Sequence, residues 1–221
     1  MDWTQWLAAQ RQRLSASPTP GYASGERPAA EPVAVAALAA ITHGWQEPST
    51  TACGALRDAQ LPDGSIGVLL DEHGPFWTTA LASLAWRRFY IAWPQSPAAP
   101  NFQAAEERAV AYLLSSRGEK VDYSENVGHD TQLVGWPWVL GTHSWVEPTA
   151  MAVLALRHAG LGTHPRTLEA CHLLADRWLP DGGANYGNTF VLGQQLRDRS
   201  ATQGDHHPAW SFLGVDDVPA G

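Results

Sequence analysis

Glu31-Pro-Val-Ala-Val-Ala-Ala-Leu-Ala39, Trp77-Thr-Thr-Ala-Leu-Ala-Ser-Leu-Ala85 and Glu147-Pro-Thr-Ala-Met-Ala-Val-Leu-Ala155 align without gaps. Each opens with a helix-start signal, proline in two copies and threonines in the third, and then runs through small and branched apolar residues. Such helices are buried nearly all round, and their alanines let neighbours approach closely. The spacing predicts buried helices over Val33 to Ile41, Thr78 to Arg88 and Pro148 to His158. A second set, Thr51 to Ala59, Ala104 to Ser116 and Arg166 to Trp178, mixes polar and apolar residues at an amphipathic helical period and should lie outside the first. Two of these run into one repeated turn, Leu61-Pro62-Asp63-Gly64 and Leu179-Pro180-Asp181-Gly182. In it proline presets φ, glycine takes the left-handed position, and the aspartate bonds its own backbone.

The repeat unit is therefore amphipathic helix, Pro-Asp-Gly turn, glycine-rich or aromatic loop, and buried alanine-rich helix. Ala34, Ala80 and Ala150 mark the copies, 46 and 70 residues apart, the longer interval reflecting an insert from Arg117 to Trp145. The expected fold is all-α, a toroid-like helical repeat of about three helix pairs forming an incomplete ring. Residues 1–30 read as an N-terminal helix and a Pro/Gly-rich linker, 31–193 as the repeat domain, and 194–221 as an irregular tail. Trp3, Trp6, Leu7 and Leu14 share one stripe of the first helix, which should dock on the domain body.

Composition narrows the function. The 221 residues carry 14 basic and 22 acidic side chains, net −8, which leaves no basic face for nucleic acid. No apolar run reaches the length of a membrane span, and the first residues lack the basic and apolar regions of a secretory signal, so a cytoplasmic chain is expected. Cys53 and Cys171 make neither a disulfide framework nor a zinc knuckle. Eleven tryptophans are the anomaly.

Gln60-Leu-Pro-Asp-Gly-Ser-Ile-Gly67 resembles a degenerate QW motif of squalene and terpenoid cyclases, with Ile66 where tryptophan is usual. Trp145 to Leu156 and Leu179 to Asn188 resemble the inner-helix start and the following loop of the prenyltransferase and squalene oxidase repeat. The similarity spans roughly Glu31 to Gly193 and is specific as a combination rather than motif by motif. It implies an α/α toroid with inner helices around a cavity, and terpenoid or isoprenoid chemistry on a hydrophobic small molecule. Three helix pairs do not close such a ring, which implies self-association, a partner or further C-terminal repeats.

The family's chemistry is not copied with the fold. The Asp-x-Asp-Asp acid of the cyclases and the Asp-Asp-x-x-Asp diphosphate motif have no counterpart. Cys171 and His172 are adjacent on a helix, so their side chains diverge by about 100° and do not share one zinc ion easily. Asp205-His206-His207 lies in the unpatterned tail, and no metal or cofactor is expected.

Two loops remain as site candidates. Gly128 to Glu147 gathers Trp136, Trp138, Trp145, His143 and Glu147. There, tryptophan faces can cradle a carbocation or stack on a sugar, and His143 with Glu147 can move a proton. The competing reading has the tryptophans filling a gap between helices and Glu147 capping one of them. Asp181, Asn185 and Tyr186, with Asn188, are displayed from the second loop as ligand-binding candidates. Three functions stay open: isoprenoid chemistry, a binding or interaction toroid without chemistry, and polysaccharide chemistry on an α/α barrel.

Overall fold

A computed structural model of the chain describes residues 2–122, 129–179 and 182–184. Within them the fold is all-α: α1 (Trp3–Ala16), α2 (Ala30–Thr42), α3 (Gln46–Asp58), α4 (Thr79–Ala92), α5 (Ala99–Ser115), α6 (Val146–His158) and α7 (Pro165–Asp176), with no strand among the described residues. The alanine-rich helices α2, α4 and α6 pack in sequence as one layer, and α3, α5 and α7 cover them as the second. All six helices expected from the repeat are present. Helices α2 and α4 each pair most closely with the amphipathic helix that follows, across short connectors at 43–45 and 93–98, whereas α6 packs on α4 at least as closely as on α7, which follows it across 159–164.

Burial departs from expectation on the inner layer. Val35 is 52 % exposed and Leu154 50 % exposed, so these helices are not covered all round. Aligned on the repeat, Val35, Leu81 and Met151 share one position and Leu38, Leu84 and Leu154 another, three residues on. None of the six is fully buried. Leu38, Leu81, Leu84 and Met151 are half-buried against the two clusters described next, and of the six only Val35 and Leu154 stand exposed.

Two clusters hold the layers together. Trp86, Phe89 and Phe102 centre the first, across α2 to α5. Phe89 meets Phe102 edge-on at 4.8 Å, and the Trp86 Nε1–H donates to Cys53 O at 3.0 Å. Leu113, Trp136, Leu156 and Cys171 centre the second, across α5 to α7 and the insert.

The described ends of the repeated turn are bonded alike in both copies. Leu61 N–H donates to Ser65 O and Gly64 N–H to Leu61 O, and the same pair of bonds joins Leu179 to Gly183 and Gly182 to Leu179. Gly64 and Gly182 have φ of 92° and 91°. Asp63 Oδ1 accepts from Ser65 N–H at 3.0 Å, as its turn role predicts. Gln60 holds this turn to α5: its Nε2 donates to Gly64 O and Ala105 O, and Arg108 donates to its Oε1 at 2.5 Å.

Helix α1 docks less than expected. It buries no residue, Leu7 and Leu14 are half covered, and Trp3 and Trp6 are 65 % and 41 % exposed and stacked on each other at 4.9 Å. Its stripe supplies only two leucines along a helix otherwise rich in Gln and Arg, too little apolar surface to seat both rings. The amphipathic period of the last outer helix also overshoots by two residues, since α7 ends at Asp176 and Trp178 pairs its backbone with Ala184.

Candidate functional site

The insert between α5 and α6 is built around Trp136. Its backbone N–H donates to Thr149 Oγ1 at 2.9 Å on the first turn of α6, and its Nε1–H donates to Leu113 O at 3.0 Å. Thirteen residues likewise separate Ile66 from Thr79, whose Oγ1 accepts from Ile66 N–H at 3.0 Å on α4. Ile66 and Trp136 are thus the same repeat position, a loop residue locked to a threonine of the next inner helix. Gly135 permits that approach, because a Cβ there would sit 2.3 Å from Thr149 Oγ1.

Arg166 closes the structure from α7. The helix begins at Pro165 with His164 Nδ1 accepting from Arg166 N–H, which aims the arginine inward. Its guanidinium lies 4.4 Å from the Trp136 ring and donates to Val134 O, Gly135 O, Ser116 O and Glu169.

An aromatic cleft opens beside this lock. Trp77, Trp136 and Trp138 line it with Phe76, Tyr112 and Leu140, around a shallow space of about 20 Å³ that is open to solvent. Trp77 and Trp138 meet edge-on at 4.7 Å, and Phe76 and Tyr112 at 6.1 Å. Trp136 is buried, so it offers the cleft one wall, whereas Trp77 and Trp138 are only partly covered. Val139 and Leu140 stand about half exposed on the next two positions of the loop. Of the tryptophans named from sequence, Trp136 and Trp138 come together here. Trp145 does not join them: it precedes the first turn of α6 and packs its ring against His143 at 4.6 Å, tilted by 34°.

His143 lines a different, polar pocket with Glu119, His129, Thr131, Ser144 and Arg177. There His129 is pushed down to about 4, by burial first and then by the charges of Arg177 and His143, with Asp130 opposing. The folded chain thus keeps His129 neutral, whereas unfolding restores its ordinary value of 6.5. This contribution to stability is complete above pH 6.5 and is lost as the pH falls from there towards 4. Titrating the histidine Cε1–H resonances checks it: His129 should titrate near 4, and a midpoint above 6 would contradict its burial.

Glu147 takes the second position of α6, and its surroundings are not unique. His43-Gly-Trp45-Gln-Glu47-Pro48-Ser49 starts α3 just as His143-Ser-Trp145-Val-Glu147-Pro148-Thr149 starts α6, one hundred residues later. His43 stacks on Trp45 at 4.9 Å, and His143 meets Trp145 at 4.6 Å with its ring tilted by 34°. The proline falls in the first turn, where its missing N–H costs nothing, and a glutamate there meets the positive end of the helix dipole. Glu31 fills the same position on α2.

Asp181, Asn185, Tyr186 and Asn188 lie outside the described residues, as does Asp205-His206-His207. Cys171 is buried with its thiol pushed up by burial, while the neighbouring His172 is exposed. Among the described residues no three His, Cys, Asp or Glu side chains are grouped to hold a metal ion, and no helix is long and apolar enough to cross a membrane. The cleft partners Trp77, Phe76 and Tyr112 escaped the sequence reading, although Trp77 sits at the aligned position of Glu147. Compared with protein-family models, curated proteins and solved structures, the chain matches none.

Proposed function

We propose that this chain is a toroid-like repeat module, akin to the prenyltransferase and squalene cyclase repeat, that binds an apolar ligand of the isoprenoid class. The observation that carries this reading is the aromatic cleft of Trp77, Trp136 and Trp138, whose open faces suit an unsaturated hydrocarbon chain. The half-covered aliphatic positions of the inner layer favour it too, since they add apolar surface at repeat-equivalent places. Binding is preferred over proton-transfer chemistry for one reason. The His-Trp-Glu-Pro arrangement around His143 and Glu147 also starts α3, at His43, Trp45, Glu47 and Pro48. A motif that recurs at two helix starts is explained by helix starting.

Calorimetric titration with farnesol, against dodecanol as an unbranched control, tests the proposal. Trp138→Ala should weaken farnesol binding about tenfold, the loss of roughly 1.4 kcal/mol of aromatic contact. Glu147→Gln should leave it unchanged. Equal affinity of wild type and Trp138→Ala would reject the cleft, and equal binding of both alcohols would reject the isoprenoid class.

A further inference from the structure

The polar pocket beneath the insert has no part in that reading, yet its polar atoms are unmet. Among the described residues, Thr131 Oγ1, His143 Nε2 and Arg177 Nε are all buried without a hydrogen-bond partner, and all three residues line this one pocket. Thr131 is 6 % exposed and Arg177 3 % exposed. Buried polar groups are almost always satisfied, so three that converge on one small space mark a place where another atom belongs.

We propose that this pocket binds a singly charged oxyanion, either a small carboxylate or an inorganic oxyanion, with one oxygen inserted among Thr131, His143 and Arg177. The donor chemistry selects it. Arg177 Nε–H can only donate, the Thr131 hydroxyl can donate, and His143 donates in its Nε2–H tautomer. Ser144 adds a further hydroxyl on the wall, its oxygen already accepting from Gly135 N–H at 2.8 Å. The rest of the Arg177 guanidinium is engaged: Nη1 and Nη2 donate to Asp130 O at 3.3 and 3.4 Å, and Nη1 also to the Asp176 carboxylate. Only its Nε edge is left for a ligand. Glu119, exposed and on the same lining, repels a second negative charge, which is why a single charge suits the site.

Nitrogen-15 NMR titration of the whole chain with sodium acetate and, separately, with sodium phosphate, at constant ionic strength and about pH 5.5, where phosphate is mainly the monoanion, provides the test. Saturable shifts should centre on residues 129–133, 143–144 and 177. Thr131→Val keeps the side-chain shape and His143→Phe keeps an aromatic ring against Trp145, and each should weaken binding at least fivefold. Thermal melts of both variants separate a lost ligand contact from a lost fold. Saturation by acetate alone assigns a carboxylate, and saturation by phosphate assigns an inorganic oxyanion. Wild-type protein that saturates with neither, as it would if one water filled the pocket, overturns the proposal. So does a folded Thr131→Val that binds as wild type does.

Discussion

Trp86→Ala should destabilise the chain by about 3–5 kcal/mol and lower its melting temperature by about 10 °C or more. Trp86 is fully buried at the centre of the first cluster, where α4 meets α3 and α5, and its indole N–H is spent on Cys53 O. Removing it forfeits a large apolar area and opens a cavity walled by helix backbones that the alanine contacts already hold close together. Those walls have little freedom to collapse, which places the expected cost high in the range. Trp86→Phe separates the two contributions, because it keeps most of the packing and leaves the Cys53 carbonyl without its donor, at about 1 kcal/mol. Differential scanning calorimetry of both variants gives the comparison. A Trp86→Ala loss below 1 kcal/mol would mean that the first cluster is not the core of the fold.

Arg166→Met should cost about 3 kcal/mol, a large effect for one residue in the first turn of a helix. Three loop carbonyls, Ser116, Val134 and Gly135, accept from this guanidinium, and the Trp136 ring lies under it. Methionine fills the stem but leaves the carbonyls unpaired in a space from which water is excluded. Lysine should rescue little, since one ammonium cannot reproduce the planar fork. Pairing Arg166→Met with Trp136→Leu in a double-mutant cycle should reveal coupling of about 1 kcal/mol or more. Additive losses in that cycle would show that the stack over Trp136 carries no energy of its own.

The helices were legible because their signals are local. Aligned Ala-rich segments, prolines in the first turn and the Pro-Asp-Gly turns each act over a few residues, and the six repeat helices and both turns follow them. Three features were not. The exposure of Val35 and Leu154 depends on which face the second layer covers, and composition cannot say that. The shared thirteen-residue link of Ile66 to Thr79 and Trp136 to Thr149 hides because an isoleucine and a tryptophan do not look alike. The His-Trp-Glu-Pro repeat was visible in principle, but it relates the start of an outer helix to that of an inner one and so falls out of register with the main repeat. The candidate sites divide similarly. Trp136 and Trp138 stood out as neighbours in sequence, whereas Trp77 reaches the cleft from the start of α4. Thr131 and His143 both lie in the loop that the sequence singles out, but Arg177 reaches their pocket from the end of α7, and no local pattern ties it to them.

The claim that the aromatic cleft holds an isoprenoid is tested most directly by isotope-filtered nuclear Overhauser contacts between farnesol and protein with labelled tryptophan indoles. Contacts are expected from the methyl-bearing chain to the rings of Trp77 and Trp138, and none to the exposed pair Trp3 and Trp6. Contacts confined to Trp3 and Trp6, or saturating farnesol with no contact to Trp77 or Trp138, would contradict it.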